Sequence, residues 1–204
     1  MHPDATYRNL LKPEKLIRIA VTGDVLVTKL ELRLIDTWAF QRLRRIRQLG
    51  TACFVYPSSL HTRFDHSLGT MAAAAKIIEK IRANRAVGDP EDIITPLEEI
   101  LVRLYALLHD VPHIPFGHTL EDELRVLPRH DQNKARIERF FGPGSEIGTV
   151  LAEALGDGIP ERFVSIYRWD GRSAPPGDDA FIYDIVSHTV CADLVEYLSR
   201  VDLF

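Results

Sequence analysis

The sequence predicts a mainly α-helical domain with a short β-hairpin near its N-terminus. Three observations carry that expectation. Apolar residues recur every three or four positions through most of the chain after residue 30, the period of a helix with one buried face. Two short β-branched, apolar runs, residues 16–21 and 25–29, flank Thr22-Gly23-Asp24, a hairpin pattern closed by a glycine turn. A chain of 204 residues with 46% hydrophobic side chains has enough apolar surface for one domain with a sizeable core.

After the hairpin, residues 37–48 carry Phe40, Leu43 and Ile46 at steps of three, continued by Leu49, with Arg42, Arg44, Arg45 and Arg47 between them. This predicts a helix that Gly50 stops. Residues 51–57 read as an extended connection, and Ser58-Ser59 with His61-Thr62 as a polar loop. The next helix runs from Arg63 into the Ala-rich stretch near Lys76 and Ile81, until Asp89-Pro90-Glu91-Asp92 breaks the pattern. Thr95-Pro96-Leu97-Glu98 then combines a capping box with Pro at the first helical position, opening a helix that ends near His109-Asp110. Pro112 and Pro115-Phe116-Gly117 impose an irregular turn, and shorter helices are expected over 119–127, 131–141, 146–155 and 160–167. Residues 168–179, with Gly171, Pro175, Pro176 and Gly177, read as a surface loop. One last apolar-periodic segment covers 182–198 and stops near residue 204 without a glycine cap. The expected organisation is a single domain, with a hairpin region at 1–30 and a helical core at 31–202. Its fold is expected to continue past residue 204, or the chain to be a fragment truncated at the C-terminus.

A net charge of −4 gives no global attraction to nucleic acid or an anionic membrane, so any phosphate-binding surface must be local. The basic 42–47 segment reads as a solvated face more readily than as a nucleic-acid surface, which leaves a polynucleotide contact open as the lesser alternative. No basic, then apolar leader opens the chain and no apolar run approaches the length of a membrane span, which predicts a soluble, cytoplasmic protein without membrane partners. Cys53 and Cys191 lie far apart in apolar surroundings, as reduced core thiols do.

Six of the eight histidines, at 61, 66, 109, 113, 118 and 130, fall within one stretch, accompanied by Asp65, Asp110, Glu121 and Asp131. Imidazole with carboxylate, and no thiolate, is a ligand set for a divalent transition metal such as Mn, Fe, Co, Ni or Zn. Leu104-Tyr105-Ala106-Leu107-Leu108 should be buried, so His109 and Asp110 begin where the core ends. A buried Asp there needs a partner or a cation.

Five segments in order resemble one family. They are 40–50 (FQRLRRIRQLG), Tyr56-Pro57, 61–69 (HTRFDHSLG), 109–118 (HDVPHIPFGH) and 193–200 (DLVEYLSR). Together they are similar to the HD-superfamily deoxynucleoside triphosphate triphosphohydrolases, the type whose animal members carry a SAM domain, over about residues 30–202. The resemblance implies an HD-domain helical bundle and four metal ligands, His66, His109, Asp110 and Asp193. These leave coordination positions open for a water and a phosphate oxygen. Mg accompanying a nucleotide substrate fits the same picture.

Arg63, three residues before His66 and on the same helical face, matches an arginine that contacts phosphate. His113, His118 and His130 would line the phosphate channel, with His130 or His113 as general acid or base and Glu121 orienting it. Gln48 and Leu49 match positions beside the sugar, and Tyr197 an aromatic near the nucleoside. His61 and Asp65 receive no role, and His2 and His188 are taken as incidental.

Several departures touch nucleotide recognition rather than the metal. The family's Asp-Pro-Ile/Val-His-Gly stretch is missing, with Gly23 alone as a match. Pro112 and Ile114 replace small residues, Leu194 stands where a phosphate-touching lysine is expected, and the Arg-Asp pair that reads the sugar becomes Arg200-Val201-Asp202. The resemblance implies hydrolysis of deoxynucleoside triphosphates to deoxynucleoside and triphosphate by a homo-oligomer. A nucleoside monophosphatase, a cyclic or oligonucleotide phosphodiesterase and a non-catalytic nucleotide-binding module remain alternatives.

Overall fold

The computed structural model describes residues 3–84, 94–168 and 179–201. His2, the expected break at 89–92, the loop residues 171–177 and Asp202 lie outside the described residues. Helix α1 (Pro3–Leu10), which the sequence pattern did not announce, leads into strands β1 (Pro13–Ile19) and β2 (Gly23–Thr28). The strands pair antiparallel with Leu16 opposite Leu26 and Ile17 opposite Val25. Their turn places Gly23 at φ 83 and Val21 at φ 72, a left-handed conformation unusual for a β-branched residue.

Helix α2 (Lys29–Ile35) starts at a capping box in which Thr28 and Glu31 satisfy each other's backbone amides. The helix expected over 37–48 is instead a single turn, α3 (Trp38–Gln41), followed by a 3-10 turn over Arg42–Arg45. Ile46 is extended at φ −112, ψ 111, and Gly50 makes the left-handed bend at φ 54. An unbroken step of three is the period of a 3-10 helix; an α-helix needs steps of three and four mixed. Residues 52–54 form another 3-10 turn in place of the extended connection expected there.

Helix α4 (Arg63–Ala83) and helix α5 (Pro96–Leu108) form the centre. Both open with capping boxes, Thr62 with Asp65 and Thr95 with Glu98. Helix α4 buries Leu68, Met71, Ala74 and Ile78, while α5 buries Leu101, Leu104 and Leu107 along with most of its other side chains. A helix apolar on nearly every face belongs inside a fold, and α5 packs against α4, α1 and α9. A π-type turn at Thr119–Glu123 is all that forms of the helix expected over 119–127.

Helices α6 (Lys134–Phe141), α7 (Glu146–Leu155) and α8 (Ile159–Tyr167) pack on one another, with Ile137, Phe141, Leu151 and Phe163 wholly buried. The last expected helix is two: α9 (Ala180–Ser187) and α10 (Ala192–Val201). His188 turns extended, at ψ −170, between them. The run Ser187-His188-Thr189-Val190 combines polar and β-branched residues, which weakens helix continuation. This break puts Asp193 in the first turn of α10 rather than mid-helix. Among the described residues, no helix is long and apolar enough to cross a membrane.

Candidate active site

Three helix ends converge. The capped N-terminus of α4 presents Arg63 and His66 on one face, the C-terminal end of α5 presents His109 and Asp110, and the first turn of α10 presents Asp193. His109 donates Nδ1–H to the carbonyl of Ala106, 2.7 Å away in its own last turn. That bond fixes the tautomer and leaves Nε2 a bare acceptor, which is buried and has no hydrogen-bond partner. Tyr167 of α8 donates its hydroxyl to the His109 carbonyl, a group that α5 no longer satisfies.

Around that orphan nitrogen, Asp110 Oδ1 lies at 3.7 Å and Asp193 Oδ1 at 3.8 Å. His66 Nε2 is 2.9 Å from Asp193 Oδ1 and 3.9 Å from Asp110 Oδ2. The ligand atoms of His66, His109 and Asp193 all lie within 4.8 Å of one another. A cation about 2.1 Å from each ligand separates neighbouring ligands by roughly 3 Å, so this spacing and its two-nitrogen, carboxylate chemistry fit a divalent transition metal. Asp110 has a second tie: Arg63 Nη1 sits 2.8 Å from both of its oxygens. Burial pushes the Asp110 carboxyl up, but the Arg63 guanidinium, helped by the His113 N–H, outweighs it and holds the group well below the ordinary carboxylate range. For His66, burial opposes the charged ring, yet its hydrogen bonds to Asp193 and Glu196 and the charge of Asp110 raise it to about 9.

Beside these groups, His113 Nε2 is 3.2 Å from Asp110 Oδ1, and its ring stacks on His130 with centroids 3.5 Å apart. Burial and the nearby Arg63 charge keep His113 neutral, well below the usual histidine value. His130 donates both its backbone N–H and Nδ1–H to Glu121 Oε2, each over 3.0 Å, and Arg136 of α6 holds Glu121 Oε1 at 2.5 Å. Burial would raise Glu121, but these bonds bring it down to about 2. His113, Glu121 and His130 also have ligand atoms close enough to share a cation. Both Glu121 oxygens are already engaged by donors, so the His66 group is the better cation site.

One pocket of about 820 Å³ takes in every residue given a metal, catalytic or substrate-binding role from the sequence except Glu121. Gln48, Leu49, Arg63, His66, His109, Asp110, His113, His118, His130, Asp193 and Tyr197 line it, and Glu121 stands behind His130 with no exposed side-chain surface. Gln48 reaches the wall because its backbone N–H bonds to His61, while Arg63 N–H bonds to Ile46, closing the 47–62 loop on itself. His118 sits at the rim, its side chain 58% exposed and bonded to Asp122 at 2.8 Å.

Several residues passed over in the sequence take part. His188 lines the pocket. Asp65 completes the α4 capping box. Arg42, expected on a solvated basic face, is half-buried and donates to the carbonyls of Val111 and His113, stitching the turn that follows His109. Glu196 is buried, and its Oε2 accepts His66 Nδ1–H over 2.5 Å. Arg200, expected beside a sugar, is buried against Glu196 instead. The usable signal was the spacing: Ala192, Glu196 and Arg200 share one helical stripe, and an acid and a base four apart pair readily.

Known proteins share this chain's pattern. A crystal structure of a hypothetical protein from Aquifex aeolicus superposes with a TM-score of 0.71 at 32% identity, over 93% of this chain and 46% of that one. The deoxynucleoside triphosphate triphosphohydrolase SAMHD1 homolog of Dictyostelium discoideum is 36% identical across 93% of this chain. An uncharacterized protein, MJ1154, of Methanocaldococcus jannaschii is 50% identical over 107 residues, 52% of this chain. The chain spans 36% of the length of the Dictyostelium protein and 21% of the Methanocaldococcus one. A family model described as the HD domain matches residues 63–173, more than half of the sequence and the stretch that supplies Arg63, His66, His109 and Asp110, so the chain belongs to the HD domain family.

Proposed function

We propose that this chain is a metal-dependent phosphohydrolase that acts on nucleotides, with deoxynucleoside triphosphates as the leading substrate class. The observation that carries the proposal is the bare, buried Nε2 of His109 facing Asp110, Asp193 and His66 at the pocket wall. A buried nitrogen lone pair with no donor near it is costly, and a cation satisfies it. In this reading His66, His109, Asp110 and Asp193 hold the metal. A divalent cation there supplies Lewis-acid withdrawal of phosphoryl charge and a more acidic water.

The chain's own residues divide the remaining work. Arg63, forked onto Asp110 from inside the pocket, is placed to shift one N–H toward a phosphate oxygen. His130, its Nδ1–H held by Glu121, turns Nε2 outward as the group that passes a proton to the departing oxygen. His113, neutral and stacked beneath it, serves as an uncharged hydrogen-bonding neighbour rather than an acid. Gln48, Leu49 and Tyr197 would contact the sugar and base, and His118 the phosphates. Arg129, Lys134 and Arg168 also line the pocket, which suits a substrate carrying several phosphates. The Dictyostelium relative's name supports the same substrate class.

One feature favours a rival reading. Leu194 lines the pocket where the resemblance implies a phosphate-binding lysine, which suits a phosphodiesterase or monophosphatase better. Product identity separates the two. The purified chain is expected to retain about one Mn, Fe, Co, Ni or Zn ion per copy and to release triphosphate and deoxynucleoside from a panel that also includes dNMPs and cyclic dinucleotides. His109→Ala should lose the ion and more than about a hundredfold of the activity. No product from any panel member, or full activity in His109→Ala, would remove the enzymatic reading, and monophosphate products alone would shift it to the rival. A homo-oligomer is part of the proposal, and sedimentation of the purified chain decides it.

A further inference from the structure

We infer that Glu196 is a positioning residue for His66, and that Arg200, Gly69 and the turn of the N-terminal hairpin exist at this point of the fold to hold it. The inference rests on the metal reading above and concerns Glu196 and Gly69, to which the sequence pattern gives no role, and Arg200, which the sequence placed beside a sugar instead. Glu196 Oε2 accepts the Nδ1–H of His66 over 2.5 Å, so the opposite nitrogen, Nε2, faces Asp193 and Asp110. A carboxylate behind a ligand histidine fixes its tautomer and ring plane and makes the free nitrogen more basic.

The other oxygen of Glu196 is fixed as well. Arg200 Nε donates to Oε1 over 2.5 Å, and the same guanidinium reaches the carbonyl of Ala20 at 3.3 Å and that of Asp65 at 3.0 Å. Thr22 Oγ1 adds a long contact of 3.5 Å to Oε1. The hairpin turn, about 180 residues away in sequence, and the first turn of α4 therefore grip one arginine, which grips one carboxylate.

A purely structural account of this ion pair is weak on two grounds. Taking both charges out of water costs about as much as their attraction returns, so apolar residues of similar size would stabilise the fold equally well. Helix α10 even turns Val195 and Leu198 to solvent, 47% and 53% exposed, while burying Glu196 and Arg200 at 4% and 1%. That inversion forgoes apolar burial, and it needs a reason. The second ground is Gly69. A Cβ there would stand 2.6 Å from Glu196 Cδ, so a glycine in mid-helix, unfavourable by about 1 kcal/mol relative to alanine, keeps open the space that the carboxylate fills.

The test reads metal affinity in the full chain without substrate, by competition with a chelator of known affinity for Co²⁺ and Zn²⁺. Gly69→Ala changes no charge and improves helix propensity, yet should drive Glu196 off His66 and weaken binding about 10- to 100-fold. Glu196→Gln alone would strand a buried guanidinium, so it is paired as Glu196→Gln/Arg200→Met. This double variant should show the same loss while its metal-free melting temperature stays near the parent's. Affinities within about twofold of the parent in both would overturn the inference. The parent alone gives an independent reading: long-range proton–nitrogen spectra of the zinc-loaded, ¹⁵N-histidine-labelled chain should show hydrogen on Nδ1 of His66. Hydrogen on Nε2 would overturn it too. A parent that binds neither ion removes the ligand assignment itself, and that result appears before any variant is made.

Discussion

At the scale of single residues, the pocket is organised by groups whose charge state is set by burial and by their immediate hydrogen-bond partners. Glu121 illustrates this. Its carboxylate sits at about 2 because His130 and Arg136 donate to it, against an ordinary value near 4.3. A folded-state value below the unfolded one means that ionised Glu121 stabilises the fold, fully above about pH 4.5 and less as pH falls toward 2. Glu121→Gln should therefore be less stable than the parent by about 1–3 kcal/mol at neutral pH. In urea unfolding measured from pH 7 down to pH 3, the gap should narrow only below about pH 4.5. A gap that stays constant across that range would assign the loss to packing rather than to charge. Residues of this kind were half legible beforehand. His66, His109, Asp110 and Asp193 stand out through the family resemblance of the segments that carry them, and His109-Asp110 also because it begins where a buried apolar helix ends. Arg136, Tyr167 and Glu196 do not, since each acts through a contact that only the folded chain creates: Arg136 with Glu121, Tyr167 with the His109 carbonyl, and Glu196 with His66 across 130 residues.

Among the elements, capping chemistry was read correctly at Thr95 and missed at Thr62, although the two boxes have the same form. The Thr95 box carries Pro96 as a second marker of a helix start, whereas Asp65 lies in the shadow of His66 and reads as one more loop acid. Continuity was harder. The 37–48 segment and the 182–198 segment both break because β-branched or evenly spaced apolar residues satisfy a hydrophobic pattern without committing the backbone to α-helix. The Thr62 cap has a consequence for the site, because Arg63 and His66 sit in the turn that it secures. Thr62→Ala should cost about 1 kcal/mol in urea unfolding. Thr62→Ser, which keeps the hydroxyl, should recover most of it. If Thr62→Ala unfolds at the parent's midpoint, the box is not holding the end of α4.

For the whole molecule, the order of motifs was legible and the pocket was not, since 820 Å³ of space among α4, α5, α6, α8, α9 and α10 depends on how helices distant in sequence pack. The arrangement makes a stability prediction of its own. Residues 63–66, 109–110 and 193 come from three helix ends far apart in the sequence, and like charges gather there: Asp110 and Asp193 approach the same two imidazoles. A cation that binds the folded chain and not the unfolded one stabilises it by RT ln(1 + [L]/Kd), about 2.7 kcal/mol at a hundredfold excess over Kd. In a chain of this length each kcal/mol moves Tm by about 2–4 °C, so saturating Mn²⁺ or Co²⁺ should raise Tm by roughly 5–10 °C and EDTA should reverse it. Asp193→Asn should flatten the response when each protein is compared with its own metal-free Tm, which in the variant is lowered by the lost ion pair with His66. If Tm is indifferent to metal in the parent, the three helix ends meet for packing alone; if Asp193→Asn responds like the parent, the cation is held without α10.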